Sequence, residues 1–191
     1  MLQVLVEETQ GQIQEDLHAL LGEIRRMSLT LQGVGAVGQQ LRSDRSQAVD
    51  LAIHEAMRVM QGSAGRNGVT LWTNVQTMPL LPFSTSVIKA ITFNLVDNAI
   101  HACSAGGVVN IGAQIVESRI FELIVQDNGR GMTSEVRRRC KELFFSTKAR
   151  GSGIGLALCD RAIADAGGTL SIESEESRGT KVTVRVGFGP Q

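Results

Sequence analysis

Two hydrophobic periods divide the chain. Up to residue 41, apolar residues fall at Val6, Ile13, Leu17, Leu20, Ile24, Met27, Leu31, Val34 and Leu41. From Leu17 the steps run three, four, three, four, three, a seven-residue repeat along one side of a helix, with Gln10 and Gly38 in the slots where it fails. Burying each large aliphatic side chain contributes roughly 1.5–3 kcal/mol, so this seam requires a partner surface. Its own domain could supply one, but the repeat favours a bundle or coiled coil that includes a second chain, and hence a homodimer. Gly33, Gly35 and Gly38 each cost about 1 kcal/mol relative to alanine within a helix, which marks a bend or an end.

After Arg42 the pattern becomes mixed. Residues 48 to 61 predict a helix ended by GSAGRNG, and VTLWTNV from Val69 alternates as a strand. PLLPFSTS predicts a turn, with Ser84 or Thr85 capping a helix that runs to about Ala102. Residues 108 to 116 and 119 to 126 predict a hairpin, and TLSIES with KVTVRV a second one. One more helix is expected from about Gly153 to Ala166. Hairpins separated irregularly by helices predict an α+β fold. Its expected form is a two-layer sandwich, a mixed sheet with helices on one face, preceded by the long helix. The expected division is 1–45, a helical dimerisation segment, and 46–191, the mixed domain.

Composition narrows the function. The 191 residues carry 19 basic and 19 acidic side chains, so no basic excess points to nucleic acid. A hydrophobic share of 42% is enough for a core. Cys103, Cys140 and Cys159 show no C-x-x-C spacing and read as packed thiols in a reducing compartment. No apolar run is long enough for a membrane-spanning helix. A cytoplasmic location is expected, whatever anchor a longer parent protein carries.

Four segments carry chemistry: NLVDNA from Asn94, DNGRGM from Asp127, FFSTK from Phe144 and GSGIGLAL from Gly151. Asp127 ends the apolar strand IFELIVQ, where a carboxylate meets a ligand at a pocket edge. An ionised carboxylate only accepts hydrogen bonds, so it selects adenine's exocyclic amine over guanine's carbonyl. As a competing reading, Asp127 is a solvated turn residue. Gly129 and Gly131 allow a tight turn beside it. Asn94, Asn98 and His101 follow steps of four and three on one helix face, while Asp97 is expected on a different face. Gly151, Gly153 and Gly155 leave amides open at a helix N-terminus, suited to phosphate oxygens. Met132 to Arg150 reads as a lid over the phosphates anchored by Phe144 and Phe145, with Lys148 or Arg150 neutralising the terminal phosphate; the competing reading is a basic surface loop.

In combination and order these segments resemble the ATP-binding catalytic domain of sensor histidine kinases, which shares a superfamily with DNA gyrase, the mismatch-repair ATPase and a large heat-shock chaperone. The resemblance covers roughly residues 48 to 187. It implies ATP and Mg²⁺ as ligands, with Asp127 on the adenine amine and Asn98 as the protein's oxygen on the metal. His101 falls where many relatives place a phosphate-contacting lysine, and it reads equally as a polar residue at the pocket lip. The implied nucleotide site further includes Phe145, Ser146, Thr147, Lys148, Ile154, Leu156 and Thr180. Thr180 is expected to support the sheet behind Asp127. Asn94 and Lys148 are the implied catalytic positions. Hydrolytic relatives carry a glutamate at the place of Asn94, which cannot act as a general base near neutral pH, so transfer is favoured over hydrolysis.

The expected activity is transfer of the ATP γ-phosphate to a histidine, then to a response regulator's receiver domain. No phosphoacceptor is identified in this chain. His18 lacks the family's surroundings and stands too close to Asn94, and His54 lies inside a helix of the ATPase domain. EIRRM and the repeat resemble the second helix of the dimerisation hairpin, with the acceptor helix elsewhere. An anti-sigma-type serine kinase and a nucleotide-binding module without transfer activity are the alternatives.

Overall fold

The computed structural model describes residues 41–148 and 151–189. The seven-residue repeat, His18 and Arg150 lie outside the described residues. The elements run β1 (Arg42–Gln47), α1 (Val49–Arg66), β2 (Thr70–Val75), β3 (Leu81–Phe83), α2 (Thr85–Ala102), β4 (Val108–Val116), β5 (Ile120–Asp127), α3 (Ser134–Arg139), α4 (Gly155–Asp165), β6 (Thr169–Glu175) and β7 (Gly179–Gly187).

Five strands form one sheet in the order β2-β4-β5-β7-β6. The β2–β4 pair is parallel and the remaining pairs are antiparallel, so the sheet is mixed as expected. Alternation decides its inner face. Val109, Ile111 and Ala113 of β4, Phe121, Leu123 and Val125 of β5, and Val184 and Val186 of β7 are buried against the helices. Helix α2 repeats pairs of buried and half-exposed residues. Ile91, Thr92, Leu95, Val96, Ala99 and Ile100 are buried, which leaves Asn94, Asp97, Asn98 and His101 as a polar stripe.

The opposite face of the sheet is polar, yet Glu122 on it is only 3% exposed. Its carboxylate accepts from Gln114 Nε2 at 2.9 Å and from Arg185 Nε at 2.6 Å, both direct cross-strand neighbours. The Gln114 bond, aided by Arg185, holds this carboxyl below its ordinary value despite burial. A depressed folded pKa adds stability above the unfolded carboxylate pKa, and that stability disappears as pH falls through the folded value. Glu122→Gln is therefore expected to cost about 1–2 kcal/mol at neutral pH, judged from charge-assisted hydrogen bonds. The deficit should shrink in acid, as read by urea unfolding across pH.

Four elements depart from the sequence expectation. β1 pairs antiparallel with β3 in a separate two-stranded sheet. β1 reads RSDRSQ, without apolar alternation, and β3 is three residues around Pro82 inside an expected turn. The segment after Met132 contains the short helix α3. Thr133 Oγ1 caps it by accepting from the Val136 amide at 3.2 Å. Helix α1 also extends through Gly62 and Gly65 to Arg66. At the start of α2, Ser84 is the N-cap residue but forms no side-chain cap bond. Instead Gln47 Oε1 accepts from Thr85 Oγ1 at 2.8 Å and from its amide at 3.4 Å. A β1 side chain supplies what the local sequence was expected to supply.

Candidate nucleotide-binding site

Asp127 is the last residue of β5, opposite Val109 on one side and Thr180 on the other, and it is only 6% exposed. Its Oδ1 accepts from the Gly129 amide at 2.8 Å. Burial pushes this carboxyl above the ordinary aspartate value, while the Gly129 and Thr180 amides pull it back. A carboxylate so placed offers a strong acceptor in a recess that water hydrates poorly.

Glycines permit the recess. A Cβ on Gly129 would stand 2.4 Å from the Ala102 carbonyl oxygen, and the next amide, Arg130 N, donates to that oxygen at 3.0 Å. The loop after β5 is thus seated on the C-terminal end of α2. Gly179 has φ +93° and comes so close to the Asp127 carbonyl that a Cβ would lie 2.0 Å from it. Thr180 is buried, and its hydroxyl pairs with Ser174 Oγ at 2.9 Å, tying β7 to β6 behind Asp127. Asn128 contributes too, a role the sequence reading missed. Its Oδ1 accepts from the Val108 amide at 2.8 Å, closing the loop on the start of β4.

The polar stripe of α2 carries the second group of expected site residues. Asn98 Oδ1 accepts from Lys148 Nζ at 2.8 Å. Asp97, expected on another face, belongs to the same stripe. Its carboxylate lies 3.7 Å from Lys148 Nζ and 3.3 Å from His101 Nδ1. Positions 94, 97 and 101 are separated by three and four residues, so the helical period itself carried the signal. His101 Nδ1 also meets the Asp97 carbonyl at 2.7 Å, and its bond to Asp97 raises the imidazole pKa against partial burial.

Asn94 Nδ2 donates to the Ala90 carbonyl at 2.9 Å. Its Oδ1 lies against the first turn of α4, where a Cβ on Gly155 would be 2.4 Å away. Ile154 is the N-cap residue of α4, and Leu156 packs on the core. Gly153 has φ +66° and its carbonyl accepts from the Phe144 amide at 3.0 Å. A Cβ on Gly151 would stand 2.1 Å from Ser146 Oγ, which also accepts from the Lys148 amide at 3.1 Å. Thr147 is exposed beside it. The expected pair of aromatic anchors is divided. Phe145 is half-buried with the Arg139 guanidinium 4.3 Å from its ring centroid, whereas Phe144 is 76% exposed and has its backbone in the left-handed region. The three thiols fit a packing role best at Cys159, which is buried and has its pKa pushed up to about 12.

A buried acceptor at a strand end, an amide-and-acid helix stripe and a glycine-rich helix N-terminus thus stand on one mixed α/β fold. A profile of the histidine kinase-, DNA gyrase B-, and HSP90-like ATPase family matches residues 85–190, and the chain belongs to that family. The sensor protein TdiS of Thauera aromatica is 32% identical over 141 residues, covering 70% of this chain and 25% of that protein. The histidine-protein kinase AtoS of Escherichia coli is 27% identical over 193 residues, covering 100% of this chain and 32% of that protein. The chain therefore spans a quarter to a third of these relatives. The mycobacterial sensor histidine kinase MprB shares the fold at 20% identity with a TM-score of 0.68, over 77% of this chain and 100% of that one. Within the family, this chain corresponds to the ATPase catalytic region of sensor histidine kinases.

Proposed function

We propose that this chain binds Mg-ATP and positions the γ-phosphate for transfer to a histidine on another segment or molecule, as part of a two-component kinase. What supports this reading is the buried Asp127 carboxylate, whose loop is seated on the C-terminal end of α2, together with the Asn98–Lys148 and Asn94–α4 contacts on the polar stripe of that helix. In this reading Asp127 accepts from the adenine amine and the glycine-rich start of α4 receives phosphate oxygens. Asn94 supplies no general base, so the site is suited to holding ATP rather than hydrolysing it. The remaining task is positioning and charge stabilisation. The AtoS match extends across the seven-residue repeat, and the use proposed for that repeat is a dimerisation helix, argued from its apolar seam. A response regulator's receiver domain is the phosphoryl destination that follows from this assignment.

The donor set fits magnesium. Asn98 presents a hard carbonyl oxygen that already faces a cation, the Lys148 ammonium, and Asp97 lies within 4 Å of that ammonium. Among the described residues no cluster of three or more His, Cys, Asp or Glu forms a metal cage. This is the arrangement expected where an ion keeps waters and phosphate oxygens as its other ligands. When bound, the ion neutralises phosphate charge. Asn98→Ala is expected to remove most of the magnesium dependence of ATP affinity, read by titrations with and without the ion; retained dependence would count against this ligand role. Mixing the chain with γ-labelled ATP and a separately supplied acceptor hairpin tests transfer, and label confined to serine would overturn the histidine assignment.

A further inference from the structure

The segment between α3 and α4 carries Phe145 to Lys148, yet among the described residues it forms no strand with the sheet. Lys141 ties it there. Its ammonium donates to Asp160 Oδ1 at 2.7 Å and to the Leu170 carbonyl at 2.5 Å. Asp160 belongs to α4, the helix whose first turn lies against Asn94, and Leu170 belongs to β6, the edge strand of the five-stranded sheet. An edge strand leaves carbonyls without strand partners, and an ammonium has three donors to offer. Lys141 uses two of them to pin one segment to two elements at once.

The pin sits at the near end of a short run. Downstream, the Phe145 amide donates to Glu142 O at 3.3 Å and the Phe144 amide to Gly153 O at 3.0 Å. Lys148 then reaches Asn98. Upstream, Arg137 Nη1 meets the Ser174 carbonyl of the same edge strand at 3.4 Å. Lys141 and Asp160 side chains are each 36% exposed, so an ion pair of this kind alone would add little to global stability. The second bond, to a fixed backbone carbonyl, gives the contact a direction that an exposed pair lacks.

We propose that Lys141 is a positioning residue that holds residues 142–148 where Lys148 meets the triphosphate end of the site. The inference rests on the ATP reading above, although its mechanical half does not. The test uses the whole chain with Lys141→Met, which keeps the apolar stem, Lys141→Arg and Asp160→Asn. Lys141→Met is expected to weaken Mg-ATP about tenfold while changing adenosine affinity less than about twofold, since adenosine lacks the phosphates this segment reaches. Asp160→Asn should do the same to a smaller degree, and Lys141→Arg should restore ATP affinity. Amide hydrogen exchange across 142–148 should accelerate in Lys141→Met without a matching change in the β4–β5 hairpin. Equal weakening of ATP and adenosine would make Lys141 a merely structural contact and overturn the proposal, as would unchanged ATP affinity or failed rescue by arginine. If the parent chain binds no ATP, the site reading itself fails. Unchanged exchange across 142–148 would then sink the Lys141 inference separately. Should Lys141→Met not fold, Asp160→Asn carries the same two readouts.

Discussion

Asp127→Asn is expected to weaken ATP binding by about one to two orders of magnitude, the equivalent of one charge-assisted hydrogen bond of roughly 1.5–3 kcal/mol. In the proposed reading the Asp127 carboxylate, which only accepts, takes adenine's amine and repels guanine's oxygen. An amide both donates and accepts. The variant should therefore lose most of its preference for ATP over GTP, and equal ATP affinity in variant and parent would discredit the assignment. Stability is expected to move the other way. Burial raises the folded pKa of Asp127, so the group's contribution is most favourable below the unfolded aspartate pKa and is lost as pH rises through the folded value. At neutral pH the nucleotide-free parent carries that penalty and the asparagine variant does not. Thermal unfolding of the nucleotide-free proteins should show the variant no less stable, and the order should reverse when ATP is added.

Gly179→Val should produce the largest structural loss. The residue has φ +93°, a region closed to β-branched side chains, and even a bare Cβ would stand 2.0 Å from the Asp127 carbonyl oxygen. Relief requires β7 to move away from the end of β5, where Thr180 and Asp127 are register partners. Backbone strain and lost pairing together should cost about 3 kcal/mol or more, beyond the usual range for one substitution. We expect a lower urea midpoint together with loss of ATP binding. Normal stability with normal binding would show that the junction tolerates a side chain, contrary to its geometry.

Much of this architecture was legible because one face of each principal element is buried. The alternation in β4, β5 and β7 and the paired buried positions of α2 are written in residue type, and the structure follows them to within two residues. β1 was not legible. Its residues are polar, and its pairing with β3 depends on contacts such as the Leu41 carbonyl with the Ser84 amide, 43 positions away in sequence. Within the site, Asp127 and the glycines could be placed by chemistry and turn geometry. Asp97 is legible from its spacing to Asn94 and His101, which puts it on their face rather than on a different one. Asn128 and Lys141 act through distant backbone groups, Val108 N and Leu170 O, which no local pattern discloses.

The contact between Lys148 and Asn98 changes how cation dependence should be understood. The amide oxygen is not bare before a ligand arrives, because a tethered monovalent charge already rests on it. Under the proposed assignment of Asn98 to the divalent ion, loading is an exchange of occupants, and the divalent affinity is the difference between two associations. Diminishing the resident's hold would tighten the newcomer even while the triphosphate lost a counter-charge.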